Sequence, residues 1–202
     1  MRNWQKRTAP VQEKQMLGND VIDLDLARRE SNWRRKGYLE KTCSPAEQQD
    51  IRHAEDPFLA FWMRWSMKES AYKIVNRLTH IRSFDPSAYC CTLRYHNGTW
   101  EGEVRRNDLV LYTRSCCSSD FIHTSAVQQY AQFAAEVLVW LDNYPDYQAR
   151  YNADSPDDHL YKDDAGIPWL LHRETGQIRP ASLSHHGRYL VLMYSGFLRS
   201  AG

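Results

Sequence analysis

Residues 56–77 read DPFLAFWMRWSMKESAYKIVNR, and this stretch decides the fold. Asp56 and Pro57 are typical of a helix start, and the residues that follow keep helical spacing as far as Arg77. At about 100 degrees per residue, one stripe of this helix carries aromatic side chains and one carboxylate. The members of the stripe are Phe58, Phe61, Trp62, Trp65, Tyr72 and Glu69. The sequence therefore predicts a long helix with an acidic residue on its apolar side.

Glu69 is the residue of this helix with the clearest chemical interest. An ionised carboxylate among aromatic side chains is costly unless a cation or hydrogen-bond donors meet it. The ordinary alternative is a solvated i, i+4 pair with Lys73, which is the commoner arrangement on an arbitrary helix. The tryptophan-lined stripe favours a functional carboxylate, with Lys68 and Lys73 flanking it on opposite sides.

A second carboxylate lies in LGNDVIDLDL, residues 17–26, which alternates as a strand does. Asp20 is in phase with Ile22 and Leu24 and so shares a face with two aliphatic side chains, although a turn residue after Gly18 is the alternative. Two inward carboxylates from different elements suit Mg²⁺, whose remaining ligands are commonly substrate phosphates and water. The pair predicts a magnesium site for a phosphorylated substrate, with nearby lysines neutralising a diphosphate.

A third polar cluster is Ser184-His185-His186-Gly187-Arg188 near the end of the chain. A hydroxyl, two imidazoles and a guanidinium at a tight turn suit a phosphate monoester. Adjacent histidines in a polar turn are more often surface residues, and the cluster lacks the spacing of a metal site. On its own, this cluster leaves both interpretations open.

The other segments of the first half predict a mixture of helices and strands. Residues 26–40 are helix-prone and basic, and a second helix is expected from Pro45, behind a capping box formed by Ser44 and Glu47. Antiparallel strands follow, the first two joined by a hairpin at Asn97-Gly98.

In the second half, helical spacing predicts a helix from Ala126 to Asp142. Residues 151–166 are polar and predict a long loop. The last segment, from Gly166 onward, predicts a glycine-proline loop and then two strands around a turn. The sequence shows no internal repeat.

Composition excludes several classes of protein. The chain has 202 residues, with 26 Lys and Arg against 25 Asp and Glu, so a nucleic-acid binder that relies on net charge is not expected. Five cysteines without zinc-site spacing predict a reducing, cytoplasmic location, and no apolar run is long enough to cross a bilayer. We expect a flexible arm over residues 1–15 and a single domain over residues 16–202.

Taken together, the motifs resemble those of the 4'-phosphopantetheinyl transferases. Residues 17–21, LGNDV, are similar to the family's glycine-x-aspartate strand, and residues 65–73, WSMKESAYK, match its W-x-x-K-E-[SA]-x-x-K helix motif. Gly166-Ile167-Pro168 and residues 181–188, ASLSHHGR, resemble its G-x-P loop and S-H-x-G segment. Their order along the chain is that of the small holo-acyl-carrier-protein synthases.

This resemblance implies a role for each matching residue. Asp20 and Glu69 would bind Mg²⁺ together with the diphosphate of coenzyme A, and Glu69 would help to remove the proton of the acceptor serine. Lys68 and Lys73 would stabilise the diphosphate and the leaving adenosine 3',5'-bisphosphate. The residues implied at the coenzyme A 3'-phosphate and the neighbouring loop are Ser184, His185, Gly166 and Pro168.

The resemblance also implies the partner and the fold. The partner would be an acyl or peptidyl carrier protein, whose acidic helix would meet a basic patch of Arg28, Arg29, Arg34 and Arg35. The fold would be α+β, with an antiparallel sheet packed against the long helix, as one enlarged repeat unit. Since the family's site lies between two units, Ser184 and His185 would come from a neighbouring chain in a homo-oligomer, or an insertion over residues 95–165 would complete the site within a monomer.

The chain departs from the family pattern at two places. The larger enzymes of the family have a glutamate two residues after the aspartate, where this chain has Ile22. Asp23, one position on, is a better match to the acidic residue of the small synthases, and whether it is a third metal ligand stays open. After Lys73, residues 74–77 replace a glycine-rich turn, and Arg77 is a candidate for the lost phosphate contacts. The alternatives to a transferase are a non-catalytic module that binds coenzyme A or a carrier protein, and a magnesium-dependent hydrolase of diphosphates. The retained carboxylates and Lys73 disfavour the first, and the arginine patch disfavours the second.

Overall fold

The computed structural model describes residues 16–196, so the arm predicted over residues 1–15 lies outside the described residues. The helices are α1 Leu24–Glu30, α2 Tyr38–Thr42, α3 Pro45–His53, α4 Pro57–Thr79 and α5 Tyr147–Asp154. The strands of the first half are β1 Leu17–Asp23, β2 Cys90–His96, β3 Thr99–Arg106, β4 Leu109–Cys117 and β5 Phe121–Val127. The strands of the second half are β6 Glu136–Asp142, β7 Asp158–Lys162, β8 Pro168–His172, β9 Ile178–His186 and β10 Tyr189–Ser195.

The strands form two antiparallel sheets of five strands each, and the two sheets share one strand order. The first sheet runs β1-β5-β4-β3-β2 and the second runs β6-β10-β9-β8-β7. In each sheet the first strand is followed by one or more helices and then by a four-stranded meander. The last strand of the meander pairs with the first strand, β5 with β1 and β10 with β6. The first unit contains the 23-residue α4, whereas the second contains only the 8-residue α5.

The predicted α+β class is confirmed, with an antiparallel sheet packed against the long helix. The predicted helix from Ala126 to Asp142 is wrong. β5 ends at Val127, a 3₁₀ turn covers Tyr130–Ala135, and β6 covers the rest. Its sequence, EVLVWLD, also fits a strand, and Val139 and Leu141 alternate toward the core of the second sheet.

The predicted loop over residues 151–166 is also wrong in part, because it contains the end of α5 and the whole of β7. Leu160 in β7 is fully buried and packs with Leu170, Ala181 and Leu192 in the core of the second sheet. A single apolar residue among polar neighbours therefore anchors this strand. The enlargement expected after residue 95 thus contains a second sheet with the strand order of the first.

The helices of the first unit mostly agree with their predicted starts. The capping box at Ser44 and Glu47 is confirmed, as is the start of the long helix at Pro57. The predicted strand over residues 17–26 ends earlier, because the Asp23 side chain caps α1. The basic segment after it forms α1 and α2 rather than one helix. No helix among residues 16–196 is long and apolar enough to cross a membrane.

β1 is the central contact strand of the molecule, since it packs against α4 on one side and against β9 and β10 on the other. All seven of its residues are buried. Gly18 makes the contact with α4 possible, because a Cβ atom at this position would lie 2.2 Å from the carbonyl oxygen of Ser70. The glycine of the strand motif is therefore required by close packing of strand on helix.

We expect Gly18→Ala to lower the free energy of unfolding by about 3 kcal/mol, because the added methyl group meets helix backbone that cannot move aside cheaply. Gly37→Ala is the matched control: its φ of 77° makes alanine strained, but no atom lies within 4 Å of the added carbon. The control should cost only about 1 kcal/mol. Urea unfolding of both variants tests this, and equal costs would contradict the packing argument.

Candidate active site

The two sheets meet where β9 side chains bond to the outer edge of β1. β1 is an edge strand, so the N–H groups that point away from β5 need partners from elsewhere. Alternate side chains of β9 accept all three of these bonds and so bring β9 against the strand that carries Asp20. The bonds run from Asn19 N to Ser182 Oγ at 3.0 Å, from Val21 N to Ser184 Oγ at 2.8 Å, and from Asp23 N to His186 Nδ1 at 2.8 Å.

Asp20 lies at this junction with one carboxylate oxygen held and the other unpaired. Ser184 Oγ donates to Asp20 Oδ1 at 3.0 Å, and Lys73 Nζ lies 3.8 Å from the same oxygen. Asp20 Oδ2 is buried and has no hydrogen-bond partner within residues 16–196. Burial raises the pKa of Asp20, although Lys73 and the hydroxyls of Ser184 and Ser66 oppose the shift. The Ser66 hydroxyl is near enough to affect the carboxylate but is itself without a well-formed hydrogen bond among the described residues. An unpaired buried carboxylate oxygen is costly, so it fits a cation supplied from outside the chain.

α4 is open to solvent along one stripe only. Between Phe61 and Arg77 most residues are buried, and the stripe of partly exposed residues runs along one face of the helix. Its members are Trp65, Glu69, Tyr72, Lys73 and Asn76. This stripe contains Glu69 and Lys73, two of the predicted catalytic residues, and it is the solvent-accessible face of α4 beside Asp20.

Glu69 is half-buried on this face of α4, and its carboxylate makes no hydrogen bond within the described part of the chain. Burial raises the pKa of Glu69 to about 7, the Asp20 charge adds to the shift, and Lys73 opposes it. A carboxylate that titrates near neutral pH is well matched to accept a proton from a hydroxyl. Two mutually repelling carboxylates also fit a shared divalent cation.

Lys73 connects α4 to both sheets. Its Nζ donates to Asn19 O at 2.6 Å and to Leu183 O at 3.2 Å, and its side chain is 29% exposed. Burial lowers the pKa of Lys73, while the Asp20 and Glu69 carboxylates oppose the shift. An ammonium has three donors, so one remains for Asp20 or for a bound anion.

The structure places Lys68 differently from Lys73. Lys68 is 1% exposed, and its Nζ donates to Glu47 Oε2 at 2.8 Å, Thr42 O at 2.7 Å and Pro86 O at 3.1 Å. All three donors are therefore satisfied inside the protein, and none is left for a phosphate. This arrangement gives Lys68 a structural role in place of the predicted contact with coenzyme A.

The S-H-x-G segment is split between the two faces of β9. Ser184 and His186 face β1, whereas His185 is exposed on the opposite face and makes no contact with Asp20. The single O–H of Ser184 is donated to Asp20, so Ser184 positions the carboxylate. These contacts form within one chain, so Ser184 reaches Asp20 without a neighbouring chain.

The glycine-proline loop is tied to the C-terminal part of α4 by Arg77. This guanidinium donates to the carbonyl oxygens of Pro168 and Ala181 and lies 4.9 Å from the Trp169 ring centroid. Burial lowers the pKa of Arg77 to about 10. Arg77 follows Lys73 by one helical turn, so the loop with Gly166 and Pro168 flanks the far end of the open stripe.

The predicted basic patch is exposed and rests on aromatic rings. Arg28, Arg29, Arg34 and Arg35 are all exposed. The guanidinium of Arg35 lies 4.1 Å from the ring centroid of Tyr38, and Tyr38 stacks with Trp65 at 6.3 Å. The patch is therefore connected to the open stripe of α4 through aromatic contacts.

Sequence reasoning named Ser184 and His186 as part of a polar cluster but missed that, with Ser182, they join the two sheets. Ser182, Ser184 and His186 recur at every second position of β9, and this period-two polar pattern is the signal that could have revealed their role. Within residues 16–196 no three His, Cys, Asp or Glu side chains are grouped as a metal site. Asp20 and Glu69 are oxygen donors of the kind that Mg²⁺ takes, with its other ligands commonly supplied by substrate phosphates and water.

The sequence model of the 4'-phosphopantetheinyl transferase superfamily matches residues 16–134. This range is more than half of the chain and contains the whole first sheet, α4, Asp20, Glu69 and Lys73. No curated protein matches the chain.

Proposed function

Because this chain belongs to the 4'-phosphopantetheinyl transferase superfamily, we propose that it transfers the 4'-phosphopantetheine group of coenzyme A to a serine of an apo carrier protein. The acceptor is an acyl or peptidyl carrier protein, the reaction depends on Mg²⁺, and adenosine 3',5'-bisphosphate is released. The absence of disulfides among Cys43, Cys90, Cys91, Cys116 and Cys117 is in keeping with a cytoplasmic location.

One observation carries this proposal: Asp20, Glu69 and Lys73 converge from two elements beside an otherwise buried helix. Asp20 Oδ2 is unpaired, Glu69 has no hydrogen bond within the described residues, and Lys73 retains a donor. A structural ion-pair cluster would satisfy these groups internally, as Lys68 and Glu47 do. Unsatisfied charged groups at an open surface are typical of a site completed by its substrates.

Asp20 and Glu69 would hold Mg²⁺, which when bound supplies positive charge for the coenzyme A diphosphate. Glu69, directly or through a water, would accept the proton of the acceptor serine. Lys73 donates to a diphosphate oxygen and stabilises the charge that grows on the leaving group. Ser184 fixes Asp20, and the exposed His185 is the group available to the 3'-phosphate.

The arginine patch orients the carrier protein. Arg28, Arg29, Arg34 and Arg35 present four exposed cations near the Trp65 end of the open stripe. An acidic carrier helix docked there would bring its serine toward Glu69, and charge complementarity would speed the encounter.

The test is intact-mass analysis of an apo acyl carrier protein incubated with this protein, coenzyme A and Mg²⁺. We expect conversion to the phosphopantetheinyl form, which EDTA stops and added Mg²⁺ restores. Conversion that persists in EDTA would refute the metal dependence. Coenzyme A cleavage without a carrier protein would indicate a hydrolase, and coenzyme A binding without turnover over several carriers would indicate a binding module.

A further inference from the structure

Both carboxylate oxygens of Asp23 are occupied by the protein itself. Oδ1 accepts the first-turn N–H groups of α1, from Asp25 at 3.2 Å and from Leu26 at 3.3 Å. Oδ2 accepts from Arg188 N at 3.1 Å and from Arg188 Nε at 3.0 Å. The residue is 2% exposed. Oδ1 also accepts from Arg188 Nη2 at 3.4 Å. Asp23 therefore caps the basic helix with Oδ1 and holds Arg188, in the β9–β10 turn, mainly with Oδ2.

The turn is built to approach this carboxylate closely. A Cβ atom on Gly187 would lie 2.4 Å from Asp23 Oδ2, and the φ of 55° also favours glycine. The Asp23 N–H is donated to His186 Nδ1 at 2.8 Å. The backbone and the side chain of Asp23 thus both bind residues of the same turn, 163 to 165 positions away in sequence.

Asp23 contrasts with Asp20, which lies three residues earlier on the same strand. Asp20 Oδ2 has no partner within the described chain, whereas each oxygen of Asp23 accepts at least two hydrogen bonds. Burial would raise the pKa of Asp23, but the hydrogen bonds from Arg188 outweigh it and lower the pKa to about 2. A metal ion would have to displace both the helix cap and the guanidinium.

We propose that Asp23 is a positioning residue, not a third metal ligand, and that it links the helix bearing Arg28 and Arg29 to the turn that follows His185. This inference rests on the proposed function, because it assigns those two elements to the carrier protein and to coenzyme A. One carboxylate then sets the relative placement of the two substrate-binding surfaces.

Three variants separate the two halves of this link. Asp23→Asn keeps an oxygen for the helix cap but turns an NH₂ group toward the Arg188 donors. Arg188→Met removes the guanidinium bonds to Asp23 and keeps the backbone N–H bond of residue 188. The Arg188 side chain is 57% exposed, so this variant is expected to fold. Asp23→Ala removes both contacts.

We expect Asp23→Asn and Arg188→Met to raise the KM for coenzyme A about tenfold, because each loses charged hydrogen bonds to the turn. The KM for the carrier protein should change less than about twofold in these variants but rise about tenfold in Asp23→Ala, which also loses the cap. kcat should stay within about twofold of wild type in all three, since no contact with reacting atoms is lost.

The decisive readout is binding of Mn²⁺ in the presence of coenzyme A, measured by electron paramagnetic resonance without turnover. Asp23→Asn should keep the wild-type dissociation constant to within about twofold, whereas Asp20→Asn should weaken binding at least tenfold. Equal weakening in both variants would make Asp23 a ligand and overturn the proposal. Equal changes of both KM values in Asp23→Asn would overturn the link.

Coenzyme A binding measured by calorimetry keeps this test separate from the proposed function. If wild-type protein transferred nothing, the proposed function would fail. The positioning role would still be judged by whether Asp23→Asn and Arg188→Met both weaken coenzyme A binding, and wild-type binding in either variant would refute it.

Discussion

Glu69→Gln is expected to lower the transfer rate about a thousandfold while the fold stays intact. Glutamine has the shape of glutamate but can neither accept the serine proton nor add a second negative charge beside Asp20 for a divalent ion. The measurement is single-turnover conversion of an apo carrier protein, followed by intact mass. The matched control is Glu174→Gln, an exposed carboxylate in the β8–β9 turn, which should keep the wild-type rate.

The same substitution has an expected signature in stability. Folding raises the pKa of Glu69 from 4.5 to about 7. Between these two pH values Glu69 is mostly protonated in the folded protein and mostly ionised in the unfolded chain. In metal-free buffer, the contribution of Glu69 to the free energy of unfolding is complete below pH 4.5 and is lost as the pH rises to about 7.

Glu69→Gln lacks this titration. The variant should therefore unfold at a higher temperature than wild type at pH 8, and the gap should shrink toward pH 5. Thermal unfolding in EDTA at the two pH values measures this. A variant less stable than wild type at pH 8 would contradict the assignment of Glu69 as a carboxylate held in place for a substrate or metal.

The first unit could be predicted from the sequence because its signals are local. The Asp56-Pro57 start, the Ser44–Glu47 capping box and the Asn97-Gly98 hairpin each act within a few residues, and each is present in the structure. The motif residues Asp20, Glu69 and Lys73 were placed in one cluster for the same reason, since strand and helix periodicity fix the faces of β1 and α4.

The second unit was harder because its signals are not local. Leu160 and Val139 become core residues only through strands far away in sequence, so helical propensity in residues 126–142 gave the wrong element. Which of His185 and His186 contacts β1 also depends on which face of β9 meets that strand. The face is fixed by hydrogen bonds from the edge N–H groups of β1, which lie more than 160 residues away in sequence.

Lys68→Met is expected to lower the free energy of unfolding by about 3–5 kcal/mol, because it leaves Glu47 buried without its cation. Glu47 still accepts hydrogen bonds from the N–H groups of Ser44 and Cys91, so we expect the fall in the free energy of unfolding to be nearer to about 3 than to 5 kcal/mol. For a chain of this size the melting temperature should fall by roughly 10 °C. Thermal unfolding measures this, and Lys68→Met combined with Glu47→Gln should recover part of the loss, since the unpaired charge is gone.

Lys73→Met provides the matched comparison, since both lysines belong to one helix motif and differ in what they contact. Lys73 is partly exposed beside Asp20, so its loss should lower kcat about a hundredfold. The melting temperature should fall less than in Lys68→Met, although the bonds to Asn19 O and Leu183 O are lost. Lys68→Met should instead keep kcat and the KM for coenzyme A within about twofold, at a temperature where the variant is folded. A Lys68→Met variant that melts normally but loses coenzyme A affinity would restore the phosphate-binding role predicted from the motif. A Lys68→Met variant that melts early but keeps its affinity for coenzyme A would mean that Lys68 stabilises the fold while Lys73 takes part in the reaction.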